Sequence, residues 1–173
     1  MLMHQGIGLD AYNRMPMRRA VHAVYECCYS VPLAADLARG RPYAAHEALF
    51  RQADTLLFGL SEDSIDSILQ AHPDIGRRPG SAKSQAEQCA VTDARPEVME
   101  QLAATAKRYT RHFGFGFVMY VTGYTAQDVL AAMTDRTLND IDTERKVVRN
   151  ELARINRSRL ERMLGPEGGY DNW

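Results

Sequence analysis

Four side chains of complementary chemistry, His72, Ser84, Glu87 and Gln88, stand close together in this sequence. His72 precedes Pro73 and Asp74, and a short loop later Ser84-Gln85-Ala86-Glu87-Gln88 completes a span of 17 residues. Positions 84, 87 and 88 share one face if the segment is helical, because residues three and four apart are neighbours there. An imidazole, whose unperturbed pKa is about 6.5, exchanges a proton readily near neutrality. A carboxylate beside it can orient it or balance its charge, and a hydroxyl and an amide can hold a polar substrate. Such a set suits proton-transfer chemistry without metal or cofactor. Two plainer readings of the same residues stay open. A His-Pro pair also ends helices, with the ring near the last carbonyls. Ser-x-x-Glu is also the capping box, in which both side chains satisfy backbone donors at a helix start. Gln88 is not needed by that cap, and a helix begun at Ser81 would release Ser84 for other work. Of the remaining histidines, His4 lies in the N-terminal stretch, and His22, His46 and His112 fall within helical patterns as structural residues.

The last helical pattern adds a cation. At about 100° per residue, Val148, Leu152, Ile155 and Arg159 fall at roughly 0°, 40°, −20° and 20°. Arg159 thus lies in the middle of an apolar stripe, while Arg157 points to the far side. A buried guanidinium requires an anionic partner, either a protein carboxylate or a bound anion, and its planar fork suits carboxylates. Arg145 and Arg162 lie at the stripe's margins and can snorkel outward. Glu144, Glu151 and Glu161, interleaved with these arginines, read as a solvated face with i,i+4 pairs.

The elements that must position these groups are helical nearly throughout. Pro16 suits the first turn of a helix running to Cys28. Leu49, Phe50, Ala53, Leu56, Leu57 and Leu60 repeat at helical spacing. Ser61 reads as the N-cap of a short helix that must end near Ala71, because Pro73 biases His72 away from helical backbone. Further helices are expected from Ser81 or Ser84 to Ala90, from Pro96 to about His112, from Thr125 to Met133 and from Asn139 to Leu164. Phe113-Gly114-Phe115-Gly116-Phe117-Val118-Met119 alternates glycine with aromatics and reads as a short extended segment, since each glycine weakens a helix by roughly 1 kcal/mol. It lacks the spacing of a phosphate loop. The expected fold is therefore all-α, a single-domain bundle of about seven to nine helices spanning 1–164, with 165–173 as a tail.

The 173 residues, 45 % hydrophobic and 25 % charged, suffice for a sizeable core. A formal net charge of −1 argues against a nucleic-acid partner that needs a basic surface. Cys27, Cys28 and Cys89 form neither a disulfide framework nor a zinc-ligand pattern, and read as reduced, mostly buried thiols. No apolar run is long enough for a membrane span, and residues 1–17 lack the pattern of a secretory signal, so a cytoplasmic protein is expected.

Taken in order, Glu26, Arg41-Pro42-Tyr43, His72-Pro73-Asp74, Ser84-x-x-Glu87-Gln88, Tyr109, Phe113-Gly114-Phe115-x-Phe117-Val118, Arg136, Asn139 and Ile155-x-x-x-Arg159-Leu160 resemble one family. It is the 2-oxo-4-hydroxy-4-carboxy-5-ureidoimidazoline (OHCU) decarboxylase family of urate degradation. The resemblance implies an all-helical, often dimeric protein that converts OHCU to (S)-allantoin without a cofactor. It also implies roles: His72 as the essential histidine, Glu87 as the catalytic carboxylate, and Ser84, Gln88 and Arg159 as polar substrate contacts. Pro73 would help shape the pocket, and the backbone of Phe117, Val118 and Met119 would touch the substrate ring. The competing expectation is a non-enzymatic interaction or regulatory module that uses its arginine-rich last helix as a binding face.

Overall fold

The computed structural model describes residues 6–73, 75 and 95–165. Eight helices and no strand occur among them, so the fold is all-α. They are α1 (Leu9–Arg14), α2 (Met17–Cys28), α3 (Val31–Arg39), α4 (His46–Phe58), α5 (Glu62–Ala71), α6 (Pro96–Phe113), α7 (Ala126–Arg136) and α8 (Ile141–Leu164). The helix expected between Ser81 and Ala90 lies outside the described residues. The chain forms two compact units. One runs to Ile68 and resumes at Ala153, and the other is Leu69–Leu152.

The first unit is built on α2, α3 and α4, with α2 packed on α3 and α3 on α4. Ala20, Ala23, Val24, Cys27 and Cys28 are buried along one side of α2, and Leu33, Ala34, Leu37 and Ala38 along α3. Only Tyr29 and Ser30 separate these helices. The Ser30 hydroxyl caps α3 by accepting from the Leu33 amide (3.3 Å). That cap, with Pro32 in the first turn, was a readable start signal. The sequence reading nonetheless passed over α3, as it did the six-residue α1. In α4, Leu49, Phe50, Ala53 and Leu57 are buried and Leu56 is half-buried, as is Leu60 in the turn that follows.

Arg41 ties the helix ends of this unit together. Its guanidinium donates to the carbonyls of Tyr12 (2.7 Å), Met15 (2.6 Å) and Ala38 (2.8 Å). It thereby satisfies acceptors that helix termini leave without intrahelical donors. Beside it, Asn13 and Tyr43 exchange two hydrogen bonds, each 2.9 Å, and the Tyr43 hydroxyl donates to the Leu37 carbonyl (2.7 Å). A side chain at Gly40 would collide with that hydroxyl, so the turn after α3 needs glycine for space. Burial raises the Tyr43 hydroxyl and pushes that of Tyr12 well above the ordinary tyrosine range. The C-terminal end of α8 closes the unit. Gly6 and Gly8 donate to the carbonyls of Arg162 and Met163, and His46 Nε2 lies 2.8 Å from the Leu164 carbonyl.

In the second unit α6 packs on α7. Val98, Leu102, Thr105 and Tyr109 form the buried side of α6, which ends where Gly114 takes left-handed backbone (φ 83°). Residues 114–121 that follow are neither helix nor strand, in line with the expected break at the Phe/Gly segment. At the start of α7 the Thr125 hydroxyl accepts from the Asp128 amide (3.1 Å), and the Asp128 carboxylate accepts from the Thr125 amide (2.8 Å). These bonds hold the exposed Asp128 carboxyl below its ordinary value of 3.8.

Thr125→Ala is expected to lower unfolding stability by about 1 kcal/mol, measured by urea denaturation. The Asp128 half of the cap favours the charged, folded form. Its contribution is complete above the unfolded pKa and is lost as pH falls through the lowered folded value. The stability difference between parent and Asp128→Ala, which removes that carboxylate, should therefore shrink on acidification below pH 4.

Candidate functional site

His72 directly follows the last residue of α5, as the His-Pro signal requires. It is half-buried, its Nε2 is out of solvent contact, and Pro73 beside it is half-buried too. Ser84, Glu87 and Gln88 lie outside the described residues. Phe117 and Val118 are buried and Met119 is half-buried in the segment after α6. His72 and residues 117–119 belong to the Leu69–Leu152 unit, whereas Arg159 belongs to the other.

Arg159 occupies the apolar stripe as its spacing predicts: Val148, Leu152, Ile155 and Arg159 are all buried, the arginine 3 % exposed. Its Nη1 donates to the Cys27 carbonyl (3.2 Å), and its guanidinium carbon lies 5.0 Å from the centre of the Tyr29 ring. A backbone carbonyl and an aromatic face thus contact the cation. The end of α2 suits a cation, because the helix dipole is negative there. Arg157 is not simply on a wet face. It stacks 3.9 Å from the centre of Phe50 and pairs with Glu161 (2.9 Å). From Ile155 onward Asn156, Leu160, Met163 and Leu164 are buried as well, so this end of α8 is enclosed on several sides. Nearby Asp54 has its carboxyl pushed up by burial, against the pull of Arg157. Arg145 lies over Phe115 (4.4 Å) and Arg162 donates to the Ser158 hydroxyl (3.4 Å). These arginines are engaged with neighbouring side chains, whereas Lys146 and Arg154 of the same helix are exposed.

The largest departure from the sequence reading is Glu144. It does not belong to a solvated face: it is fully buried. Its Oε1 accepts from Arg136 Nε (2.8 Å), from Arg136 Nη2 (2.6 Å) and from the Tyr109 hydroxyl. Its Oε2 accepts from Asn139 Nδ2 (3.0 Å). Burial and the bond to Glu144 drive the Tyr109 hydroxyl far above the ordinary tyrosine range, so it stays protonated and donates. The helical arithmetic marks it only weakly: one turn back from Val148, Glu144 falls at roughly −40°, at the margin of the stripe and at the same angle as Arg162. Glu161, by contrast, forms the expected i,i+4 pair, and Glu151 turns inward to accept the Tyr120 amide (2.8 Å).

This carboxylate network positions the Phe/Gly segment. Arg136 Nη1 donates to the Val118 carbonyl (2.8 Å), and the guanidinium lies 4.3 Å from the centre of Phe117. The Phe117 ring meets Tyr109 edge-on at 5.1 Å, and Phe113 and Phe115 pack on the same tyrosine at 4.8 and 6.0 Å. Main chain at 118 and 120 is therefore fixed by one buried arginine and one glutamate, on either side of Met119.

The OHCU decarboxylase family model matches residues 13–161. A 2-oxo-4-hydroxy-4-carboxy-5-ureidoimidazoline decarboxylase from Haloferax volcanii is 28 % identical over 172 residues, covering 95 % of this chain and all of that one. A uric acid degradation bifunctional protein from Bacillus sp. (strain TB-90) is 26 % identical over 127 residues, 72 % of this chain but 25 % of that protein. The chain therefore spans about a quarter of that bifunctional relative. An OHCU decarboxylase crystallised in the presence of (S)-allantoin superposes with a TM-score of 0.73 at 24 % identity, covering 82 % of this chain and 96 % of that one, which shows a shared fold. This chain belongs to the OHCU decarboxylase family, a family of carboxy-lyases.

Breaking the buried pair should be costly. Arg136→Met leaves the Glu144 charge without its main partner and is expected to destabilise the protein by about 3–5 kcal/mol in urea denaturation. Tyr109→Phe, which removes one neutral donor, should cost only about 1–2 kcal/mol. Equal losses from the two variants would show that the ion pair is not the dominant contact.

Proposed function

We propose that this protein decarboxylates OHCU to (S)-allantoin, with His72 and Glu87 managing protons and Arg159, Ser84 and Gln88 holding the substrate's polar groups. The observation that carries this reading is the extent of the family match. It spans residues 13–161, a range that includes all of these positions together with Pro73 and the 117–119 segment.

The chemistry follows from the substrate. Its carboxylate sits on a carbon that also bears a hydroxyl and adjoins a ring imine. When the C–CO2 bond breaks, its electron pair forms a carbon–carbon double bond and the imine nitrogen takes up a proton. The hydroxyl then gives up its proton to become the ring carbonyl, and the ureido-bearing carbon gains one. Proton delivery to one face of that carbon yields a single enantiomer. The substrate is its own electron sink, so the reaction calls for proton transfer and orientation from the protein and for no cofactor. In this reading His72 takes the hydroxyl proton, and Glu87 orients or charge-balances the imidazole. Arg159 offers a planar fork to a carboxylate or ureido oxygen. Ser84 and Gln88 fix the substrate's orientation, Pro73 shapes the wall beside the histidine, and the main chain of Phe117, Val118 and Met119 meets the ring. The same reading has the protein work in the cytoplasm as a homodimer. Among the described residues no helix is long and apolar enough to cross a membrane.

The test adds purified protein to freshly generated OHCU and follows substrate absorbance together with the optical activity of allantoin. The parent should accelerate formation of the S enantiomer. His72→Ala should remain folded and lose roughly 10²–10⁴-fold in rate. Near-parental turnover by that variant removes His72 from the mechanism, and a folded parent with no effect on OHCU overturns the assignment.

A further inference from the structure

Tyr29 carries a conformation that tyrosine does not favour. It ends α2 with φ 54° and ψ 27°, in the left-handed region, and its amide donates to the Tyr25 carbonyl (2.9 Å). It is the sole non-glycine residue with positive φ among the described residues. A helix end of this shape is met without strain by glycine, or by asparagine at small cost. A bulky side chain there is an outlier, and such strain persists where the surroundings over-determine it, often at functional positions. The turn alone does not call for a ring.

What the ring adds is a surface for Arg159. The guanidinium carbon lies 5.0 Å from the Tyr29 centroid, within the range of a cation–π contact. One nitrogen of the same group is held at 3.2 Å by the Cys27 carbonyl, two residues before Tyr29. Tyr25 meets the Tyr29 ring edge-on at 6.3 Å. A guanidinium is planar, so fixing its face on a ring and one nitrogen on a helix-end carbonyl fixes the direction of the whole fork. The left-handed backbone is what brings carbonyl and ring, from neighbouring residues, to the same cation.

We infer that Tyr29 is a positioning residue for substrate binding: its strained turn and its ring together aim the Arg159 guanidinium at an anionic or carbonyl oxygen of the substrate. This rests on the proposed role of Arg159 in OHCU binding. It predicts a trade between stability and recognition at one side chain. Tyr29→Gly and Tyr29→Asn both keep left-handed backbone accessible while removing the ring.

The experiment compares parent, Tyr29→Gly, Tyr29→Asn and Tyr29→Phe by thermal melting and by steady-state decarboxylation of fresh OHCU. Tyr29→Gly is expected to melt at or above the parental temperature, since the strain is relieved. KM should rise roughly tenfold in the glycine and asparagine variants, with kcat changed much less. Tyr29→Phe, which keeps the ring, should restore the parental KM. An active parent with parental KM in both ring-less variants overturns this inference alone and leaves the decarboxylase reading standing. A KM increase that tracks a fall in melting temperature in both variants also overturns it, because the ring is then a packing group. A folded parent that does not turn over OHCU overturns both readings together.

Discussion

A carboxylate taken fully out of water has to be matched donor for donor, and Glu144 sets that demand for half of the molecule. Leaving such a charge unpaired is among the most costly things a protein interior can do. The fold answers with four donated hydrogen bonds from three residues: Arg136 twice, Tyr109 once and Asn139 once. These residues sit on α6, at the end of α7, in the turn after it and in the first turn of α8. One ion-pair network therefore fixes how three helices meet in the Leu69–Leu152 unit. The third arm of Arg136 extends that constraint to the Val118 carbonyl, in a segment with no regular hydrogen-bond ladder of its own. A segment proposed to meet the substrate through its main chain gains its rigidity from a charge pair beneath it, and the aromatic packing around Tyr109 closes the space between.

The first unit solves a related problem with cations rather than with a buried acid. Arg41 and Arg159 both donate to main-chain carbonyls at or beside helix ends. Each also lies over a tyrosine, Arg41 over Tyr12 and Arg159 over Tyr29. Arginine suits this because its fork can serve several acceptors while its flat face rests on a ring. The two differ in what surrounds them: Arg41 gathers the ends of α1 and α3 around a turn, whereas Arg159 rises from a long helix whose neighbouring side chains are apolar.

Much of this was legible before any coordinates. Apolar spacing and start signals anticipated six of the eight described helices, and Pro73 placed the end of α5 near Ala71. The angular position of Arg159 within the stripe anticipated its burial. The same arithmetic failed at Glu144 for a physical reason. A glutamate among arginines on a helix is most often solvated, and only a partner from a distant element reverses that. Arg136 is on another helix and Tyr109 on a third, so no local pattern announces the pairing. The short helices α1 and α3 escaped for a different reason: each carries too few turns for periodicity to stand out. Backbone strain at Tyr29 was equally silent, because nothing in a sequence marks a tyrosine that adopts a glycine's conformation.

The first unit is assembled from residues before 69 and after 152, with Gly8 bonded to Met163 across almost the whole chain. On a ribosome this order matters. The early helices emerge with Leu49, Phe50 and Leu57 needing cover, yet the stretch of α8 that belongs to their unit is made 84 residues later. At ordinary elongation rates that interval is on the order of ten seconds. The nascent N-terminal half must therefore stay unaggregated while the intervening unit is synthesised, a task suited to chaperones, and its final closure is a late, long-range step in folding.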